Sequence, residues 1–339
     1  MVDNPAHSPT ADSLVAVTGA TGHVGNVLVR QLLARGARVR ALVPHGEDIT
    51  PLRDMQVELV TADVRDFDSL MKGIAGADLV FHLGGIITIS TGLRSTLWEV
   101  NVEGAKNVAA ACMQLGVGRL VYTSSVHAFV EPPHGECITE DTPVDPEGVL
   151  GDYAASKAAA TLALRAQAAR GLDLVVCYPS GIIGPYDYKP SEMGQLVLEV
   201  AHGTLWAYVD GGYNFVDVRD VAAGLLAAAQ YGRSGEGYIL SGHVIPVQEF
   251  LSLAAEMTGV RPPRIRIPAG PARVVGHLAP YYYRLAGKKP LFTSYSMEVL
   301  RSNCDMPPLK AERELGFQPR PLRRTIEDTV RWFRRAGKI

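Results

Sequence analysis

Neither sign of charge dominates this sequence. Lysine and arginine total 33 against 35 aspartates and glutamates, a formal net charge of −2, and no long run of one sign breaks the balance. A nucleic-acid binder carries a basic footprint, so that class of partner is excluded. Cysteine is scarce: Cys112, Cys137, Cys177 and Cys304 are scattered and form no CxxC pair. That spacing suggests neither a metal site nor a disulfide framework, and free thiols fit a cytoplasmic location. No apolar run reaches the length of a membrane span. The opening "MVDNPAHSPTADS" lacks a basic end followed by an apolar block, so no signal peptide is expected, and residues 1–12 read as a flexible tail.

What is present is a chain of 339 residues, 47% hydrophobic, long enough for a sizeable core. Short apolar runs alternate with helical patterns. "LVAVTGA" (14–20), "RVRALV" (38–43), "VELVTAD" (57–63), "ADLVFHLGG" (77–85), "RLVYTSS" (119–125) and "LDLVVCYPS" (172–180) read as buried strands. Between them lie helices such as "HVGNVLVRQLLARG" and "EVNVEGAKNVAAACMQLG". That alternation predicts an α/β fold with a doubly wound parallel sheet. The regularity loosens after Ser180, returns in "FVDVRDVAAGLLAAAQYG", and gives way to a mixture of prolines, aromatics and short helices. The expected division is residues 13–180 plus about 213–242 for the sheet domain. Residues of about 181–212 plus 243–339 form a smaller, mixed substrate-binding domain beside the sheet's carboxyl edge.

"VTGATGHVG" places Gly19, Gly22 and Gly25 between the first strand and the first helix. Glycines there let backbone approach a pyrophosphate, and the helix start offers free N–H groups. In that context the loop reads as a dinucleotide site. An acidic residue at the end of the second strand would hold the ribose of NAD, and an arginine would favour NADP. The chain instead has Pro44 and His45 there; Glu47 and Asp48, further on, could loop back to the ribose, or His45 could face a phosphate. Without a close carboxylate the expectation is NAD(P) with a slight lean to NADP.

The helix "GDYAASKAAATLALRAQAAR" is alanine-rich, yet carries Tyr153 and Lys157 four residues apart on one face. By itself that pair fits an exposed polar face as well as an acid and the cation that tunes it. A nearby ammonium favours a phenolate and lowers the phenol's usual pKa of about 10. Ser125, at the end of a strand, offers a hydroxyl to a substrate oxygen.

Taken together, "TGATGHVG", Ser124–Ser125, "YAASK" (153–157) and "PSGIIGP" (179–185) resemble the extended short-chain dehydrogenase/reductases, the NAD-dependent epimerase/dehydratase superfamily. Within it the chain is most similar to the branch of dihydroflavonol 4-reductases and 3β-hydroxysteroid dehydrogenases. The resemblance implies a Rossmann fold and a catalytic set of Ser125, Tyr153 and Lys157. It implies that Gly19, Ala20, Thr21, Gly22, His23 and Val24 cradle the pyrophosphate, and that Asp63 and Val64 meet the adenine. Leu83, Gly84 and Gly85 would pass under the cofactor, Asn101 would be structural, and Pro179 to Ile182 would flank the nicotinamide. It also implies a homodimer paired through the Tyr153 helix and the one before it.

The superfamily's reactions differ, and departures from its patterns narrow them. Val126 and His127 stand where sugar dehydratases carry an acid and a base, and Tyr213 stands where sugar epimerases carry a diphosphate-binding arginine. Arg264, Arg266 or Arg273 are the cations left to replace it. The remaining reading is reversible reduction of a ketone or aldehyde on a small, fairly apolar substrate. A nucleotide-sugar epimerase and a non-catalytic dinucleotide sensor are the alternatives. His82 reads as packing, His127 as a substrate contact or a solvent-facing residue, and Tyr281–Tyr283 as domain packing or an aromatic pocket wall.

Overall fold

A computed structural model describes residues 9, 12–88, 93–133, 135–205, 207–267 and 302–339. Tyr281–Tyr283, Arg273 and most of the N-terminal tail lie outside the described residues. The main sheet is built from β1 (Leu14–Thr18), β2 (Arg38–Val43), β3 (Glu58–Thr61), β4 (Leu79–His82), β5 (Arg119–Thr123), β6 (Leu174–Pro179) and β10 (Gly237–Leu240). The strands are parallel and ordered β10-β6-β5-β4-β1-β2-β3. The order reverses between β1 and β4, which opens a crevice at their carboxyl ends. The apolar runs are continuous because both faces are covered: every residue of β1, β4, β5 and β6 is buried.

One face of the sheet is packed by α1 (His23–Ala34), α7 (Val218–Tyr231) and α9 (Leu309–Leu315). The other is packed by α2 (Phe67–Ile74), α4 (Gly104–Leu115) and α5 (Gly151–Ala168). Helix α4 continues a helical run begun by α3 (Arg94–Leu97) and a wide π turn over Trp98–Glu103. Arg119 enters β5 only 3% exposed. It donates to Asp173 and to the carbonyls of Ala229 and Gly232 that close α7.

A smaller body carries β7 (Gly181–Ile183), β9 (Gly212–Asp217) and β11 (His243–Pro246) in one sheet, ordered β11-β9-β7. Strands β8 (Ala207–Val209) and β12 (Ile265–Ile267) pair separately. The apolar faces of α6 (Glu192–Ala201), α8 (Val247–Thr258) and α10 (Leu322–Arg335) meet in its core. Strand β9 runs directly into α7, so the chain crosses from the small sheet back to the main one at Asp217–Val218. Among the described residues, no helix is long and apolar enough to cross a membrane, and no group of His, Cys, Asp and Glu gathers as a metal site would.

Candidate active site

The crevice between β1 and β4 is fastened by side chains. Thr18 Oγ1 and His82 Nδ1 share a 2.7 Å hydrogen bond, and the Gly84 amide donates to the same Thr18 oxygen at 3.1 Å. His82 is fully buried, stacks on Tyr122 at 5.5 Å, and is pushed down to about 3 by burial and then by the Lys157 charge. It is therefore a neutral packing residue. The glycine loop lies against this fastening. Gly19 has φ +69, and a Cβ there would sit 2.7 Å from the Gly84 nitrogen. A Cβ on Gly25 would sit 2.0 Å from the Gly19 carbonyl oxygen, so α1 reaches the loop only without a side chain. Helix α1 has no side-chain cap and no acidic residue in its first turn. A backbone cradle facing uncapped N–H groups fits the diphosphate of a dinucleotide.

The other expected cofactor residues take differing orientations. Leu83, Gly84 and Gly85 follow β4 along the crevice, and Val64 packs beside Gly84. The Asp63 carboxylate is held by Arg65, whose hydrogen bonds keep it below the usual carboxylate range. His23 turns its ring away from the loop: Nε2 bonds the Pro185 carbonyl at 3.0 Å. Ala20 is buried and Val24 packs on the core. Pro179 ends β6, and Ile182 lies on β7 opposite Val216. Thr21 Oγ1 faces Glu47 Oε1 at 3.5 Å. The turn Pro44–Glu47, with Gly46 at φ +76, carries that carboxylate back to the glycine loop.

Ser125, Tyr153 and Lys157 converge from two elements. Ser125 caps a short 3-10 turn, where its Oγ accepts from the His127 amide at 3.3 Å. The Ser125 hydroxyl also acts on the Tyr153 phenol of α5, drawing its pKa down. Lys157, 5% exposed, sits one turn along α5. Its Nζ donates to the Thr123 carbonyl at 2.9 Å and lies 5.2 Å over the Tyr122 ring. A Cβ on Gly85 would approach that Nζ to 3.6 Å, so the ammonium stands beside the crevice loop.

The electrostatics correct one expectation. Burial pushes Tyr153 up to about 12, the Glu192 carboxylate pushes the same way, and only Ser125 opposes them. Burial pushes Lys157 down to about 8. The lysine charge is directed at Thr123 and the crevice, so sharing a helix face with Tyr153 does not lower the phenol here.

Two connections were missed in the sequence. Asn101, in the π turn, accepts from the Ile86 amide at 2.8 Å and donates to the Ile86 carbonyl and to Ser156 Oγ, each at 3.0 Å. Ser156 in turn donates to the Tyr153 carbonyl at 2.7 Å. One buried side chain thus ties the crevice loop to the first turn of α5. His127 is the second: its Nε2 bonds the Tyr213 hydroxyl at 2.8 Å, and its ring meets the Tyr153 ring edge-on at 6.5 Å. Burial pushes this imidazole down to about 4, so it is neutral. Tyr213 rests on Gly181, where a Cβ would come within 2.2 Å of its ring.

The match to the NAD dependent epimerase/dehydratase family spans residues 15–241, most of the chain. The chain belongs to this family. Relatives of the family member described here include "Sterol demethylase protein B" of Methylococcus capsulatus, 36% identical over 325 residues, covering 95% of this chain and 99% of that one. Another is "3beta-hydroxysteroid-dehydrogenase/decarboxylase isoform 1" of Arabidopsis thaliana, 30% identical over 353 residues, covering 94% of this chain and 79% of that one. Among solved structures, that of gox2253 superposes with a TM-score of 0.86 at 32% identity, covering 97% of this chain and 100% of the other.

Proposed function

We propose that this family member is an NAD-dependent oxidoreductase that interconverts a secondary alcohol and a ketone on a small, fairly apolar, steroid-like substrate. The observation that carries the reading is the meeting of the Ser125 turn with the Tyr153 and Lys157 side chains of α5 beside the crevice loop. The relatives named for sterol demethylation and for 3β-hydroxysteroid dehydrogenation support the substrate class. A bound nicotinamide dinucleotide supplies or accepts a hydride. The chain's own residues do the rest. Gly19–Val24 and the start of α1 hold the diphosphate, and Leu83–Gly85 line the crevice. Ser125 donates a hydrogen bond from its hydroxyl to the substrate oxygen while its own oxygen accepts from His127 N. Tyr153, protonated at neutral pH, gives the proton to that oxygen during reduction and takes it back during oxidation. Lys157 places a positive charge beside the crevice loop at and below about pH 8.

A diphosphate-bearing sugar substrate has less support. Tyr213 is engaged with His127, and Arg266 is exposed and paired with Asp210. A carboxylate does stand near the second strand, because Glu47 returns to Thr21. NAD is therefore the cofactor we assign. We also take the protein as a cytoplasmic homodimer joined through α4 and α5, which expose Met113 and Leu162. Light scattering tests the dimer.

The test of the reaction follows nicotinamide absorbance over steroid, flavonoid, aldehyde and nucleotide-sugar panels with NAD(H) and NADP(H). Turnover of steroid-type alcohols or ketones is expected, and Tyr153→Phe loses it by about a thousandfold while still binding cofactor. Near-normal turnover in that variant defeats the assignment.

A further inference from the structure

A strap of chain crosses the glycine loop from the small body. Residues 185–189 leave β7 and run along one face of α1. His23 Nε2 bonds the Pro185 carbonyl, and Asn26 Nδ2 donates to the Tyr186 carbonyl at 3.1 Å. Arg30 donates to the Tyr188 hydroxyl at 3.1 Å, and its guanidinium lies 4.6 Å over the Tyr186 ring. Lys338 donates to the Tyr188 carbonyl at 2.8 Å. Tyr186 has φ +68, the one non-glycine in the left-handed region among the described residues. A side chain held there signals a path fixed by its surroundings. The strap ends at Lys189, whose Nζ is paired with Glu47 Oε1.

The pair sits where it meets the cofactor's adenosine end. In a doubly wound sheet the adenosine lies over the end of the second strand, next to the glycine loop. Glu47 follows β2 and faces Thr21 of that loop. Glu47 and Lys189 are 32% and 55% exposed, too open for the pair to hold the fold together. Nearby, Asp48 feels the charges of Lys189 and Arg53. Glu47 and Asp48 therefore balance Lys189 and Arg53, and removing Glu47 leaves one positive charge in excess.

We infer that the Glu47–Lys189 pair is the cofactor-discriminating element of this protein. With Glu47 present, the carboxylate accepts hydrogen bonds from an adenosine ribose diol, repels a 2′-phosphate and occupies the lysine. Without it, Lys189 is released on a rigid strap to meet a 2′-phosphate. The discrimination is thus divided between the turn after β2 and a segment about 140 residues later, which is why neither residue forms a recognisable motif. This inference rests on the dinucleotide-binding reading above.

The test is calorimetric titration of the full chain with ADP-ribose and with 2′-phospho-ADP-ribose, which needs no substrate and no turnover. The wild-type chain is expected to prefer ADP-ribose by about tenfold or more. Glu47→Gln is expected to shift the ratio toward the 2′-phosphorylated ligand by about tenfold or more, and adding Lys189→Met to it cancels the gain. An unchanged ratio in Glu47→Gln overturns the inference while leaving dinucleotide binding intact. So does a gain that survives Lys189→Met. Binding of neither ligand to the wild-type chain overturns both the inference and the reading beneath it.

Discussion

Replacing Lys157 by methionine is expected to make the protein more stable at neutral pH while disabling it. The lysine is 5% exposed, and burial lowers it from 10.5 to about 8. Keeping the charged form in the folded chain therefore costs about 3 kcal/mol relative to the unfolded chain, at roughly 1.4 kcal/mol per unit. Methionine has a similar length and no charge. It forfeits the bond to the Thr123 carbonyl, worth about 1 kcal/mol. The net expectation at pH 7 is a gain of about 2 kcal/mol, or about 3 °C in Tm for a chain of this size. The pH dependence has a definite sign. A lysine whose folded pKa is depressed is a full penalty below about 8. The penalty is relieved as pH rises toward 10.5, because there the unfolded chain binds the proton and the folded chain does not. The lysine's contribution should climb from about pH 8 to about pH 10, against the opposing loss from the buried Cys112 and Cys177 thiols above about pH 9 and from tyrosines above about pH 10, both of which ionise first in the unfolded chain. Those groups are common to both chains, so the stability gained by Lys157→Met over wild type should shrink steadily over that window. Urea denaturation at a series of pH values reads both. A variant less stable than wild type at pH 7, or a gain that does not shrink as pH rises, refutes the reasoning.

Other expectations follow from the same geometry. With Tyr153 held near 12, kcat/KM for alcohol oxidation should rise through neutrality and into the alkaline range, as the small phenolate fraction grows. A plateau already reached near pH 7 contradicts that. Asn101→Ala removes three hydrogen bonds and should cost about 2–3 kcal/mol by denaturant titration, with a loss of kcat as the crevice loop slips from α5. An unaltered midpoint shows that the tie is idle. Arg119→Met leaves the carbonyls at the end of α7 unpaired and should cost about 3 kcal/mol without altering KM for the cofactor. A changed KM with unchanged stability speaks against a structural role.

The sequence made the sheet legible because a strand buried on both faces must be apolar throughout, and "LVAVT" or "LVVCYP" has no other stable home. The glycine loop was legible because its spacing reflects close approaches that a Cβ forbids. Positions joined across long stretches of chain were not. Ser156 is explained only by Asn101, 55 residues earlier, and Glu47 finds its partner 142 residues later. Helical spacing placed Tyr153 and Lys157 on one face, but a flexible four-carbon stem let the ammonium turn to Thr123. Spacing fixes where a side chain starts, whereas the carbonyls within its reach decide where its charge ends.

The Thr18–His82–Gly84 fastening has a consequence for the shape of the crevice. At a switch point the chain leaves β1 toward one face of the sheet and β4 toward the other, so nothing in the connectivity keeps their ends from splaying. Here the gap is pinned by one hydroxyl serving two partners, and the imidazole in it stays uncharged well below neutrality. The width of the slot is therefore set by a rivet that acidity in the physiological range does not loosen. Threonine, the smallest side chain that keeps both a hydroxyl and a stiff branched stem, sets the gauge to which a planar ring must be cut.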